Sequence, residues 1–275
     1  MLKQRLLTAA VLIPLVVWAV LGLPSGTLAL VLGAFVLVGA WEWGALMGLT
    51  SPRPRVFYLA LMAVALGLGW SVIERPALLA VLLALAFAWW IVALAWLVRY
   101  RPGGKGDGAM PAIKGVAGIL TLVPAWTALV ALHGTGRTGA YLLLLLLVLI
   151  WLADSGAFFV GRRWGSIKLA PLISPGKTRE GVYGALAAAG IWAIIGGWWL
   201  GLQELQLILF VSLCLVTVVF SIVGDLFESM IKRQRGVKDS GTLFPGHGGV
   251  LDRVDSLTAA APVFVLGLLL LEIPA

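Results

Sequence analysis

The stretch GDLFESMIKR places Asp225, Glu228, Ser229, Lys232 and Arg233 at i, i+3, i+4, i+7 and i+8. Residues so spaced share one face of a helix. Acid sits toward the apolar run that precedes, base toward the polar stretch that follows. A Glu228–Lys232 pair at a helix end would account for two of the five and be worth only a few tenths of a kcal/mol. It leaves Asp225 unpaired. Further on, HGGVLDRVDS brings Asp252 and Asp255 at i and i+3 where another apolar run begins. Helix capping explains one such Asp comfortably and the second less well. Together Asp225, Asp252 and Asp255, on two adjacent helix ends, make a hard oxygen site suited to Mg2+. Lys232, Arg233, Lys238 and Arg253 add the point charges and planar forks that bind polyphosphate. The glycines of PGHGG let backbone amides approach an anion. His247 among them either contacts phosphate or stabilises the loop.

A second polar stretch, ADSGAFFVGRRWGSIKLAPLISPGKTREG, offers Lys177, Thr178 and Arg179 for phosphate or base, with Asp154 and Ser155 facing the same side from the end of an apolar run. Its GKT has the tail of a P-loop, but Pro171 stands where that motif needs Gly and no strand context is expected. An Asp at the centre of a membrane helix costs roughly 2.5–3.5 kcal/mol. Glu42, Asp154, Asp225 and Glu228 therefore each need a reason. For Glu42, in AWEWGAL, the alternatives are pairing with an Arg, or an interface. No Ser-His-Asp set, HExxH or CxxC occurs. A phosphate nucleophile is already anionic near neutral pH, so metal, positioning and charge neutralisation suffice for its attack on another phosphate.

The elements that carry these residues are membrane helices. The chain is 61% hydrophobic and 12% charged with mean hydropathy +1.04, against about 25% charged for a soluble domain. Apolar runs at about 7–23, 27–48, 56–72, 76–98, 113–132, 140–160, 182–200, 206–227 and 256–272 predict an all-α, polytopic integral membrane protein of about nine spans. The first run follows Lys3 and Arg5 like a secretion signal, but its length and the lack of a small-x-small cleavage pattern make it a span. With the N-terminus inside, eighteen Lys and Arg fall in inside segments and only Arg75 and Arg137 outside. That split follows the positive-inside rule, puts the C-terminus outside, and accounts for the net charge of +8 without nucleic acid. Cys214, the one cysteine, reads as a small core residue. Residues 1–132 hold about five spans; residues 133–275 hold about four, with the polar cytoplasmic loops 161–181 and 228–255.

SMIKRQRGVKDSGTLFPGHGGVLDRVDS resembles the signature of the phosphatidate cytidylyltransferases, or CDP-diacylglycerol synthases: S-x-x-K-R, then K-D, then H-G-G-x-x-D-R-x-D. Ser229, Lys232, Arg233, Lys238, Asp239, His247, Gly248, Gly249, Asp252, Arg253 and Asp255 carry it, and DSGAFFVGRRWG and ISPGKTREG look like the family's upstream motifs. Arg179 departs from the Trp often found there. The resemblance implies that CTP and phosphatidate give CDP-diacylglycerol and pyrophosphate at the cytoplasmic face of a bacterial inner membrane, in a homodimer. It implies Mg2+ around Asp225 and Asp252 with Asp255 close, and a second cation such as K+. Lys232, Arg233 and Arg253 would bind phosphates, Ser229 and Asp255 would orient the centre, and Asp154, Ser155, Lys177, Thr178, Lys238, Asp239, His247, Gly248 and Gly249 would contact substrate. Two rivals fit less well. A CTP-dependent lipid-alcohol kinase needs a base that is not apparent, and a transporter concentrates its ionisable residues near mid-membrane.

Overall fold

The computed structural model describes residues 2–102, 110–243 and 248–273, with side chains in the first helix from Leu12 onward. Its helices are α1 (Leu2–Gly22), α2 (Ser25–Leu46), α3 (Pro52–Val72), α4 (Pro76–Arg99), α5 (Pro111–Gly134), α6 (Arg137–Trp164), α7 (Arg179–Trp199), α8 (Glu204–Gln234) and α9 (Leu251–Leu270). Each expected apolar run lies within one of them, apart from a residue or two at some ends. Proline opens α3, α4 and α5, where its missing N–H costs no helical bond. Among the described residues, the eight helices α2 to α9 are long and apolar enough to cross a membrane, while α1 contributes the shorter apolar segment Leu12–Gly22.

Two boundaries differ from expectation in ways that matter for the site. Helix α8 continues past the expected 227 to Gln234, and α9 begins at Leu251, so the polar connection is 235–250 and not 228–255. The loop expected at 161–181 holds a small antiparallel hairpin, β1 (Lys168–Ala170) and β2 (Ser174–Thr178), pairing Lys168 with Thr178 and Ala170 with Ser174. Among the described residues the regular elements are helices apart from this hairpin. Gly176-Lys177-Thr178 therefore lies within a strand, contrary to the sequence reading, and α7 follows directly. Pro171 and the two-stranded antiparallel pairing still separate it from a P-loop.

The hairpin is anchored at its base. Glu180 accepts hydrogen bonds from Ser166 Oγ (2.5 Å) and the Ile167 amide (3.1 Å), and the Arg179 amide donates to the Ile167 carbonyl (2.8 Å). Helices α6 and α7 approach so closely that a Cβ on Gly156 would run into the carbonyl of Gly184, and the reverse. Small residues permit such contact between membrane helices. Here it fixes β2 against the face of α6 that carries Asp154.

Two apolar cores fill the bundle, and each draws on both halves of the chain. One gathers Leu142, Leu146, Ala189, Phe210, Cys214 and Phe264 with Val20, Leu28 and Leu83. The other gathers Phe227, Met230, Ile231 and Leu251 with Trp43, Met62 and Trp90. Cys214 is buried in the first, as its apolar setting suggested.

Candidate active site

Helix α8 presents Asp225, Glu228, Ser229 and Lys232 along one face, as their spacing requires. An aromatic cage holds that face in place. The Phe227 ring lies 5.6, 5.8, 5.9 and 6.4 Å from the rings of Trp89, Trp96, Trp90 and Trp43. Each such pair adds about 0.5–1.5 kcal/mol beyond area burial. One apolar residue of the motif thus locks the rotation of α8.

Lys232 lies at the centre of a buried knot between α8 and α9. Its Nζ is 2.5 Å from Asp252 Oδ1 and 3.1 Å from Glu228 Oε1, and all three side chains are 8% exposed or less. The i,i+4 pair is therefore present, but as half of a three-residue bridge. The other oxygen of Asp252 accepts the Ser240 amide (2.8 Å), the Ser240 hydroxyl (2.9 Å) and the Gly249 amide (2.8 Å). Gly248 turns the chain here with φ +83°, and a Cβ on it would strike the Asp252 carboxylate.

On the hairpin side, Lys177 of β2 reaches Asp225 Oδ2 at 2.5 Å, with side chains 28% and 25% exposed. Ser229 Oγ donates to Asp225 Oδ1 over a longer 3.3 Å. Asp154 of α6 lies within Coulombic reach of Lys177, Asp225 and Arg253. Asp255 lies within reach of Asp225, Glu228 and Lys232, and accepts the Ser256 amide at 2.7 Å. The two polar stretches of the sequence thus meet at one end of the bundle.

Several expected contacts have other tasks in this conformation. Arg233 donates to the carbonyls of Ile173 (3.1 Å) and Val237 (3.3 Å), tying the hairpin to α8. Thr178 is buried and caps α7 by accepting the Gly181 amide. Ser155 donates to the Trp151 carbonyl one turn back. Lys238, Asp239 and Arg253 are exposed. His247 lies outside the described residues. The amide of Gly249 does approach an anion, but that anion is Asp252.

A third carboxylate, from the first half of the chain, completes the knot. Glu42 of α2 is buried and accepts hydrogen bonds from Val250 N, Leu251 N and Ser240 Oγ, each at 3.0 Å. Among the described residues Glu42 therefore takes backbone amides and a serine in place of the expected Arg or interface. A Cβ on Gly241 or Gly249 would collide with its carboxylate. Sequence spacing gave no sign of this contact. The available clue was an ionisable residue between two tryptophans.

Among the described residues, no three His, Cys, Asp or Glu side chains converge into a ready-made cation cage. Asp225, Asp252 and Asp255 reach one end of the molecule without forming one shell. Asp252 is saturated by four donors, whereas Asp225 has an oxygen held only by the long bond from Ser229. Of these carboxylates Asp225, with Asp255 in reach, is the one that could hold a hard cation whose shell is completed by water and phosphate oxygens.

Residues 3–271 match the cytidylyltransferase family. The chain is 45% identical over 264 residues to a phosphatidate cytidylyltransferase of Pseudomonas aeruginosa, covering 96% of each chain. It is 40% identical to the protein of that name in Haemophilus influenzae (96% of this chain, 97% of the other) and 34% identical to that of Brucella suis (96% and 92%).

Proposed function

The chain belongs to the cytidylyltransferase family, and from that membership we propose that it is a multi-pass membrane enzyme converting CTP and phosphatidate to CDP-diacylglycerol and pyrophosphate. The observation that carries the site assignment is the meeting of Asp154, Lys177, Asp225, Arg253 and Asp255, from four elements, at one end of the bundle. An oxygen of the lipid phosphate attacks the α-phosphorus of CTP in line. The new P–O bond forms as the bond to the β-phosphate oxygen breaks, and pyrophosphate departs. The acyl chains stay in the bilayer, so the site belongs at its surface. We place that surface on the cytoplasmic side of the bacterial inner membrane.

Asp225, with Asp255 in reach and Asp252 alongside, would hold Mg2+; when bound, the ion neutralises charge on the reacting phosphates and the leaving group. Lys177, half-exposed, exchanges Asp225 for nucleotide phosphate. Arg253, exposed at the mouth, binds phosphate from the other side. Lys232 keeps Asp252 and Glu228 in register and acts on substrate only through them. Ser229 orients Asp225. Lys238, Asp239, His247 and Gly248 remain candidate nucleotide contacts, and the same reading carries a second cation such as K+ and a homodimer.

The test is turnover of purified protein with labelled CTP, phosphatidate and graded Mg2+. Asp225→Asn preserves shape and removes charge. It should fold normally and lose about 10²-fold or more in turnover, the scale of removing one electrostatic stabiliser of a transition state. Unchanged turnover and unchanged Mg2+ dependence would remove Asp225 from the reaction.

A further inference from the structure

Helix α9 carries Asp252, Arg253 and Asp255 in its first turns, so the placement of its N-terminus sets the geometry of half the site. The local sequence secures that end only in part. The N-cap is Val250, which has no side chain able to accept a hydrogen bond. The free amides of Val250 and Leu251 are instead taken by the two oxygens of Glu42, at 3.0 Å each, from α2. The next amide back, that of Gly249, is taken by Asp252. Three consecutive amides are thus divided between two carboxylates. Ser240 joins the pair, with its hydroxyl 3.0 Å from Glu42 Oε2 and 2.9 Å from Asp252 Oδ2. A hydroxyl has one proton, so the two carboxylates share it.

We propose that Glu42 is a positioning residue for cytidylyl transfer: it acts as a built-in anion at the N-terminus of α9 and, through Ser240, aims the Asp252 carboxylate. A helix N-terminus ordinarily attracts phosphate. Here a protein carboxylate already fills that position, so the polyphosphate is directed to Lys177 and Arg253 at the open side. Gly241 and Gly249 are part of the same device, since any side chain at either would push Glu42 away.

This inference rests on the cytidylyltransferase reading, and the experiment separates the two. Glu42→Gln and Ser240→Ala are assayed with CTP and phosphatidate, well below the melting temperature of each variant. Glu42→Gln turns an amide NH2 toward an N–H donor, and kcat should fall about tenfold to a hundredfold, the scale of a small misplacement at a reacting centre. KM for CTP should stay within about threefold, because Glu42 is buried against α9 and Ser240. Ser240→Ala leaves the Val250 and Leu251 bonds intact, so it should lower kcat at temperatures where the variant is fully folded, with a smaller drop in melting temperature than Glu42→Gln. The double variant should be little worse than Glu42→Gln alone, since the residues act as a unit. Full kcat in Ser240→Ala together with a Glu42→Gln effect confined to melting temperature would overturn the proposal, leaving Glu42 a helix cap only. No CDP-diacylglycerol from the unsubstituted chain would instead count against the functional reading.

Discussion

Two lysines, each bound to an aspartate at the same end of the bundle, sit in opposite surroundings. Lys232 is sealed between α8 and α9 with two carboxylates and 8% exposure, while Lys177 sits on a hairpin with one carboxylate and 28% exposure. The difference separates what holds a polyanion site together from what operates it. A buried charge must keep its partners, because losing one strands the others in a medium that cannot solvate them. A half-exposed pair exchanges partners at little cost, because water stands in for each. The α8–α9 knot is therefore the frame, and the hairpin is the part that yields to substrate.

The sharpest way to break this comparison is to remove the frame. Lys232→Met should destabilise the protein by about 3–5 kcal/mol, because Glu228 and Asp252 would remain buried without their cation. Thermal unfolding in detergent reads this directly, and turnover should vanish with the fold. Sequence reasoning alone would have Lys232 as a phosphate clamp whose loss spares stability. A stable, inactive Lys232→Met protein would restore that view. Lys177→Met is the counterpart. Its melting should shift by less than about 1 kcal/mol, while kcat/KM for CTP falls about tenfold to a hundredfold, or roughly 1.4–2.7 kcal/mol. A stability loss equal to that of Lys232→Met would erase the distinction. Glu180→Gln probes the hairpin's anchor and should have the smallest effect. The charge-assisted bonds from Ser166 and Ile167 weaken at an exposed site, so melting should shift only slightly. Turnover should stay within about threefold, and a larger loss would show that the hairpin's exact placement, beyond its lysine, limits the reaction.

The sequence made the helices legible because apolar runs of about 20 residues have few other solutions. It also made the α8 face legible, because helical spacing is local. What it concealed depends on contacts between distant residues. Lys232 pairs with Asp252, twenty residues away, and Arg233 reaches the carbonyl of Ile173, sixty residues away. A one-dimensional reading offers Lys232 only Glu228 and leaves Arg233 looking like a free cation. The glycines of the signature read as room for a substrate phosphate; in the structure the Gly249 amide takes Asp252, three residues on, and a Cβ there would strike Glu42, a distant contact that spacing does not reveal. The hairpin escaped notice because strands of three and five residues carry almost no periodic signal.

The reach of Glu42 also bears on how the protein is made. Its partners Val250 and Leu251 lie 208 and 209 residues further along the chain. At a synthesis rate of about 5–20 residues per second, α2 leaves the ribosome roughly 10–40 s before those amides exist. During that interval an ionisable side chain near the end of a newly inserted helix has none of its final partners. The site is thus closed only when α9 arrives, and a chain truncated before α9 has neither the Asp252 bridge nor the means to satisfy Glu42. Membrane quality control would meet such a fragment with an uncompensated carboxylate on α2, a mark that the finished protein does not show.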